Sequence, residues 1–167
     1  GAWSRNMLDG MGIHMPLEAG KGYSLTLTAP KRLPSVSMIC AEARVAVTPM
    51  GQSLRFGGTM ELAGLDMSIR PERIQGIMES VPRYLPEFGP EDFKGVRPWC
   101  GLRPLSPDGL PYIGAFRRYP NLVAATGHAM LGVTLAPATG KLVAEVLNGQ
   151  KPSLDLEPFR PDRYAWF

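Results

Sequence analysis

The run GLRPLSPDGLPYIG at 101–114, followed by NLVAATGH at 121–128 and GVTLAPATG at 132–140, constrains this chain most. Its first part is dense in glycine and proline and reads as a stiff loop carrying one arginine, Arg103. Residues 122–125 are continuously apolar, the mark of a strand covered on both faces. A glycine turn follows. Leu135, Ala138, Leu142 and Val146 then share one stripe, which predicts a helix over 134–147. Pro137 fits its first turn, and Asn148 with Gly149 supplies the stop. Strand, glycine turn and helix is the order of an α/β layer. A lone strand–helix pair cannot make a stable parallel sheet, so the rest of that layer is expected from sequence outside this chain or from another chain.

The middle of the chain has a different period. Tyr23, Leu25 and Leu27 alternate with Ser24, Thr26 and Thr28, predicting a strand with one wet face. Residues 44–48 alternate again, with Val45 and Val47 inward, and Pro49, Met50 and Gly51 read as a turn. Leu54, Phe56, Gly58 and Met60 then alternate with Arg55, Gly57, Thr59 and Glu61. Three such strands predict an antiparallel sheet. Pro71 opens a helix whose inner face is Ile74, Ile77, Met78 and Val81, and Pro82 and Pro86 end it. The tail from Lys151 to Trp166 and Phe167 is proline-rich and reads as surface packing.

At 167 residues, 44% hydrophobic and 20% charged, the chain can bury a core. Its +3 charge is scattered and no Lys/Arg run exceeds two, which argues against nucleic acid as a partner. Cys40 and Cys100 have no metal-ligand spacing, with His14 and His128 adding none, and read as buried reduced thiols. The nine methionines read as core filler.

Two features carry chemistry. A guanidinium at Arg103 can grip a carboxylate through two parallel hydrogen bonds; the structural alternative is an ion pair, for instance with Asp108. The backbone from 128 to 135 contains a helix start, whose unpaired N–H groups favour negative charge. Together they suit a carboxylate substrate and a planar electron-accepting cofactor. Tyr23 and Tyr112 can serve as substrate contacts or as packing. Glu61 is a motif residue or a solvated strand position. His128 is a hydrogen-bonding spacer in preference to a general base.

These segments, with Gly1, Ala2, Trp3 and Ser4, Lys21 to Ser24 (KGYS), 47–51 (VTPMG) and 58–61 (GTME), resemble the FAD-dependent D-amino-acid dehydrogenase and oxidase family across nearly the whole sequence. The resemblance is strongest to bacterial D-amino-acid dehydrogenases. It implies an α+β fold: a mainly antiparallel substrate-binding sheet with packed helices, plus a strand and helix of an incomplete FAD-binding α/β domain. It places 1–15 with the FAD-binding domain, 16–98 in the substrate-binding sheet, and 99–167 in a flavin-capping segment and tail. Arg103, Tyr23 and Tyr112 would meet the substrate. Gly1, Ala2, Trp3, Gly101, Leu102, Gly127, His128, Gly132, Val133, Thr134 and Leu135 would meet FAD, the helix start facing the charge of the reduced ring near N1 and the C2 carbonyl.

The implied reaction passes hydride from Cα to flavin N5, giving an imino acid that hydrolyses to a 2-oxo acid and ammonia. Electrons would go to a quinone chain or to oxygen. The family's Gly-x-Gly-x-x-Gly loop is not in this sequence, so the resemblance is to the C-terminal portion, expected to be inactive by itself and to meet an N-terminal FAD-binding domain. Such a portion would expose an apolar face and could self-associate. Cytoplasmic location, with or without peripheral attachment at a bacterial inner membrane, is implied. Met130 stands where glycine-oxidase-like members have an arginine, which points to a more apolar substrate pocket. A glycine- or sarcosine-type amine oxidase and a non-enzymatic interaction module are the alternatives.

Overall fold

Apolar alternation builds the middle of the chain into a five-stranded sheet of order β2-β3-β4-β1-β5. Its strands are β1 (Glu18–Leu27), β2 (Met38–Cys40), β3 (Val45–Met50), β4 (Ser53–Leu62) and β5 (Trp99–Leu105). The computed structural model describes residues 1–164. Two compact units are formed: one from Lys21–Glu61 and Asp66–Gly101, the other from Gly1–Gly20, Leu62–Leu65 and the chain from Leu102 onward.

In the sheet-bearing unit, β3 and β4 form an antiparallel hairpin in which Met50 faces Ser53. The turn is therefore Gly51 and Gln52, later than the Pro49–Gly51 turn expected; Gly51 supplies the positive φ of +61° that a two-residue hairpin needs. Pro49 lies inside β3, opposite Leu54. β2 pairs only with Val45, Ala46 and Val47, so Pro49 meets an unpaired edge where its missing N–H costs nothing.

Strand β1 departs from the expected alternation. It is central, and residues 19–25 are all buried, Ser24 included. Strands β4 and β5 on its two edges make it an interior strand, and burial overrides the polar parity of the sequence. Tyr23, Leu25, Val45, Val47, Leu54 and Phe56 form the core with Ile74 and Ile77 of helix α2 (Pro71–Ser80). Phe56 lies edge-on to Phe88 and Phe93, with ring centroids 5.5 and 5.2 Å apart. Gly58 lets α2 sit on the sheet: a Cβ there would fall 2.8 Å from Ile77 Cγ1.

The other unit holds α1 (Ser4–Asp9), an antiparallel pair of β6 (Tyr112–Ala115) and β7 (Val123–Thr126), and α3 (Gly132–Leu147), which packs on that pair. The apolar strand expected at 122–125 thus finds an in-chain partner, antiparallel rather than parallel, and only Thr126 of β7 is buried. Leu8, Ile13, Met15, Leu17, Tyr112 and Phe116 form this unit's core.

Helix α3 begins two residues earlier than the sequence stripe suggests. Pro137 therefore stands past the first turn and leaves the Val133 carbonyl without a helical donor; Val133 is 92% exposed, so water can serve it. Thr139, not Ala138, holds the inward position beside Leu142. In the tail, Pro161 is buried and 157–159 form a 3-10 turn; Trp166 and Phe167 lie outside the described residues. Both cysteines are free and buried. Among the described residues, no helix is long and apolar enough to cross a membrane.

Candidate functional site

The 101–114 segment is not a loop. It is strand β5, a turn closed by Gly109 N–H to Ser106 O at 3.4 Å, and strand β6. Arg103 therefore sits on a strand at the edge of its sheet, which is where Pro104 can be tolerated. The end of β5 is joined to the segment that opens α3. Leu105 bridges antiparallel to His128, and Ala129 N–H donates to Pro104 O at 3.0 Å. Gly1 is nearby too: a Cβ on it would meet Pro104 Cγ at 3.9 Å. Gly1, Leu102, Arg103 and 127–131 belong to one compact unit.

The turn between β7 and α3 is tightly built. Gly127 has φ +79°, and a Cβ there would meet the Tyr112 ring at 3.0 Å. Ala129, a non-glycine, also has a positive φ of +49°. Residues strained in this way concentrate where surrounding structure fixes a ligand-facing backbone. His128 Nε2 lies 3.0 Å from Thr139 Oγ1, tying the turn to α3. Partial burial holds the His128 imidazole below its ordinary pKa.

The first helical bond of α3 runs from Leu135 N–H to Leu131 O at 2.9 Å. The N–H groups of Gly132, Val133 and Thr134 precede it and have no helical acceptor. Met130, Leu131 and Val133 are all exposed. Thr126 Oγ1, just before the turn, is buried without a hydrogen-bond partner among the described residues. Amide donors, the positive end of a helix and an uncovered apolar surface fit a planar ring that becomes negatively charged on reduction.

Arg103 is half-buried, and among the described residues it makes no ion pair. The Asp108 pairing considered for it does not form. Arg163 takes Asp108 instead, Nε to Oδ2 at 3.0 Å and Nη2 to Oδ1 at 2.8 Å. Fifty-five positions separate the two, so nothing in the local pattern announced the pair.

The remaining expected contacts fall as follows. Tyr112 is fully buried and its hydroxyl donates to Pro16 O at 2.6 Å; burial pushes its pKa up to about 12. Tyr23 is buried in the sheet-bearing unit and donates to Glu61 Oε1 at 2.7 Å. Ala2 is buried and Trp3 exposed. Gly101 lies in the sheet-bearing unit, where the Trp99 indole fills the space a Cβ would need.

Glu61 is not on a solvated face. Thr59 has φ +55°, which breaks the pleat of β4 directly after Gly58, the last position paired with β3. The parity then inverts, turning Met60 outward and Glu61 inward. Glu61 accepts from Lys21 Nζ at 2.8 Å and from Arg73 Nε at 3.3 Å, besides Tyr23. Lys21 also reaches Asp66 Oδ2 at 3.0 Å and Ser68 O at 2.9 Å. A lysine at the parity of Tyr23, Leu25 and Leu27 was the sequence signal for this network.

Residues 1–146 match the family model of the DAO type, FAD dependent oxidoreductase. The chain belongs to that family. It is 38% identical, over 99% of its length, to the D-amino acid dehydrogenases of Xanthobacter autotrophicus and Granulibacter bethesdensis, and covers 39% of each. Its fold matches a glycine oxidase from Geobacillus kaustophilus with a TM-score of 0.82 at 26% identity, covering 98% of this chain and 44% of that one. The chain thus spans about two fifths of the length of the curated relatives it matches. FAD is the cofactor of the family, and the α3 start and its turn are the residues here whose chemistry suits it.

Proposed function

We propose that this chain supplies the carboxylate-binding and flavin-facing side of an FAD-dependent oxidoreductase that oxidises D-amino acids to 2-oxo acids and ammonia. The observation that carries this reading is Arg103: a guanidinium with no carboxylate partner among the described residues, on a strand hydrogen-bonded to the turn that opens α3. Similarity to D-amino acid dehydrogenases supports the substrate class.

Bound FAD supplies the two-electron acceptor. The chain's own residues bind and orient. Arg103 holds the substrate carboxylate as a two-point clamp, fixing which face of Cα is presented. The free amides of residues 132–134 stabilise negative charge that develops opposite them. His128, bonded to Thr139, holds the turn. Tyr23 and Tyr112 support the two cores, their hydroxyls already engaged. Exposed Met130 leaves the side-chain end of the substrate an apolar neighbour.

Structural likeness to glycine oxidase favours a second reading, oxidation of glycine- or sarcosine-type amines. Comparing kcat/KM for D-alanine, glycine and sarcosine separates the two, and measuring peroxide release separates oxygen from a quinone as acceptor.

The test is Arg103→Ala in the FAD-loaded enzyme that contains this chain. Loss of the clamp is expected to raise KM by the equivalent of roughly 2–5 kcal/mol. An unchanged KM removes the carboxylate role. The reading also expects the isolated 167-residue chain to be inactive and to bind no FAD; stoichiometric yellow protein after adding FAD would overturn that part.

A further inference from the structure

We propose that Arg163 is a positioning residue for the carboxylate site: by occupying Asp108 it keeps the charge of Arg103 available to substrate. This rests on the reading of Arg103 given above. Asp108 is the one acidic residue between Trp99 and Phe116, five positions after Arg103 and inside the turn that closes at Gly109. A carboxylate on a five-residue tether from a guanidinium can compete with substrate at an effective concentration on the order of millimolar or more wherever the two can meet.

The structure removes that competitor by saturating it. Both Asp108 oxygens are taken by Arg163 in a fork, and Oδ1 also accepts Leu110 N–H at 3.0 Å. Arg163 is fixed in turn. Its Nη2 donates to Leu110 O at 2.7 Å, and its Nη1 to Arg160 O at 3.1 Å and Pro111 O at 3.3 Å. Its guanidinium lies 4.0 Å from the centre of the Tyr112 ring. The tail segment carrying it is anchored by Arg117 N–H, which donates to Asp162 Oδ2 at 2.8 Å. Burial works to raise the Asp108 pKa, but hydrogen bonds from Arg163, then Tyr164, then the Leu110 N–H outweigh it and hold the carboxyl well below its usual range. Released from the fork, a carboxyl of ordinary acidity would still be ionised near neutral pH and so would compete.

Arg163→Gln keeps a donor for the Leu110 and Pro111 carbonyls while discarding the charge. In FAD-loaded enzyme labelled with 15N-arginine, the Arg103 Nε–Hε signal is identified by its loss in Arg103→Lys. Arg163→Gln is expected to shift that signal, slow its exchange with water, and raise substrate KM roughly tenfold at nearly constant kcat. Adding Asp108→Asn should return the signal and bring KM back to within about twofold, although the fork is still missing. A clamp that merely held the loop would not be rescued that way. An unmoved Arg103 signal in Arg163→Gln, or a double variant as impaired as the single one, overturns the proposal. If Arg103→Ala leaves KM unchanged, the proposed function and the substrate part of this inference fall together, while the Arg103 spectrum still decides whether Asp108 is the competitor.

Discussion

Lys21 and Glu61 meet at 2.8 Å with side chains 0% and 6% exposed, on neighbouring strands β1 and β4 of one sheet. A charge pair so enclosed is tolerable because its remaining hydrogen-bonding capacity is filled: Lys21 by Asp66 and Ser68 O, Glu61 by Tyr23 and Arg73. Removing one member leaves the others buried and unmatched.

Tyr23→Phe deletes only the hydroxyl that donates to Glu61. It is expected to destabilise the sheet-bearing unit by about 1–3 kcal/mol, the worth of a buried hydrogen bond to a charged acceptor. A urea titration of the two proteins reads this as a lower midpoint with an unchanged slope.

Acid should uncover the same network. The Lys21 hydrogen bond first, and then Tyr23, hold the Glu61 carboxyl down at about 2, against an ordinary 4.5. Between those values the unfolded chain binds more protons than the folded one. The stabilisation from Glu61 is therefore full above pH 4.5 and lost as pH falls toward 2. Glu61→Gln should be less stable at pH 7 and should lack that acid-dependent limb. Stability measured by denaturant at steps from pH 6 to 2.5 checks it, and parallel curves for both proteins would contradict it.

Thr59→Gly is expected to stabilise. Thr59 combines a β-branched side chain with φ +55° and a buried hydroxyl that has no partner among the described residues. Relief of left-handed strain, about 1–3 kcal/mol, exceeds the roughly 0.5–1 kcal/mol entropic cost of glycine. The predicted net gain is about 1 kcal/mol, read from the thermal midpoint.

Gly127→Ala should do the reverse. Its φ of +79° disfavours any side chain, and the new Cβ would press the buried Tyr112 ring at 3.0 Å. A loss of about 1–3 kcal/mol is expected. Circular dichroism melting provides the comparison, with Gly149→Ala as the control: φ there is +66°, but among the described residues an added Cβ would meet nothing beyond its chain neighbours within 4 Å. Equal losses at both positions would show that crowding by Tyr112 contributes nothing.

The readable parts of this chain were those written locally. The alternation of Leu54, Phe56 and Gly58 was enough to place β4, and Pro71 with Ile74 and Ile77 enough to place α2. Gly149 ended α3 as expected. Local pattern misled where a neighbour overruled it. Ser24 is buried because β1 is central, and Glu61 turns inward because one residue of β4 leaves the pleat. Strand β5 was hidden by its proline, which an edge position permits.

The sequence alone determined the chemistry on offer: one arginine in the 101–114 segment, a glycine turn, and a helix whose first amides have no acceptor. Those follow from residue type and spacing of a few positions, which sterics and backbone hydrogen bonding convert directly into local shape. Only the tertiary structure decided which charges are spent. Asp108 belongs to Arg163 and Glu61 to Lys21, pairs separated by 55 and 40 positions, and nothing local records a partner that the fold alone brings within 3 Å.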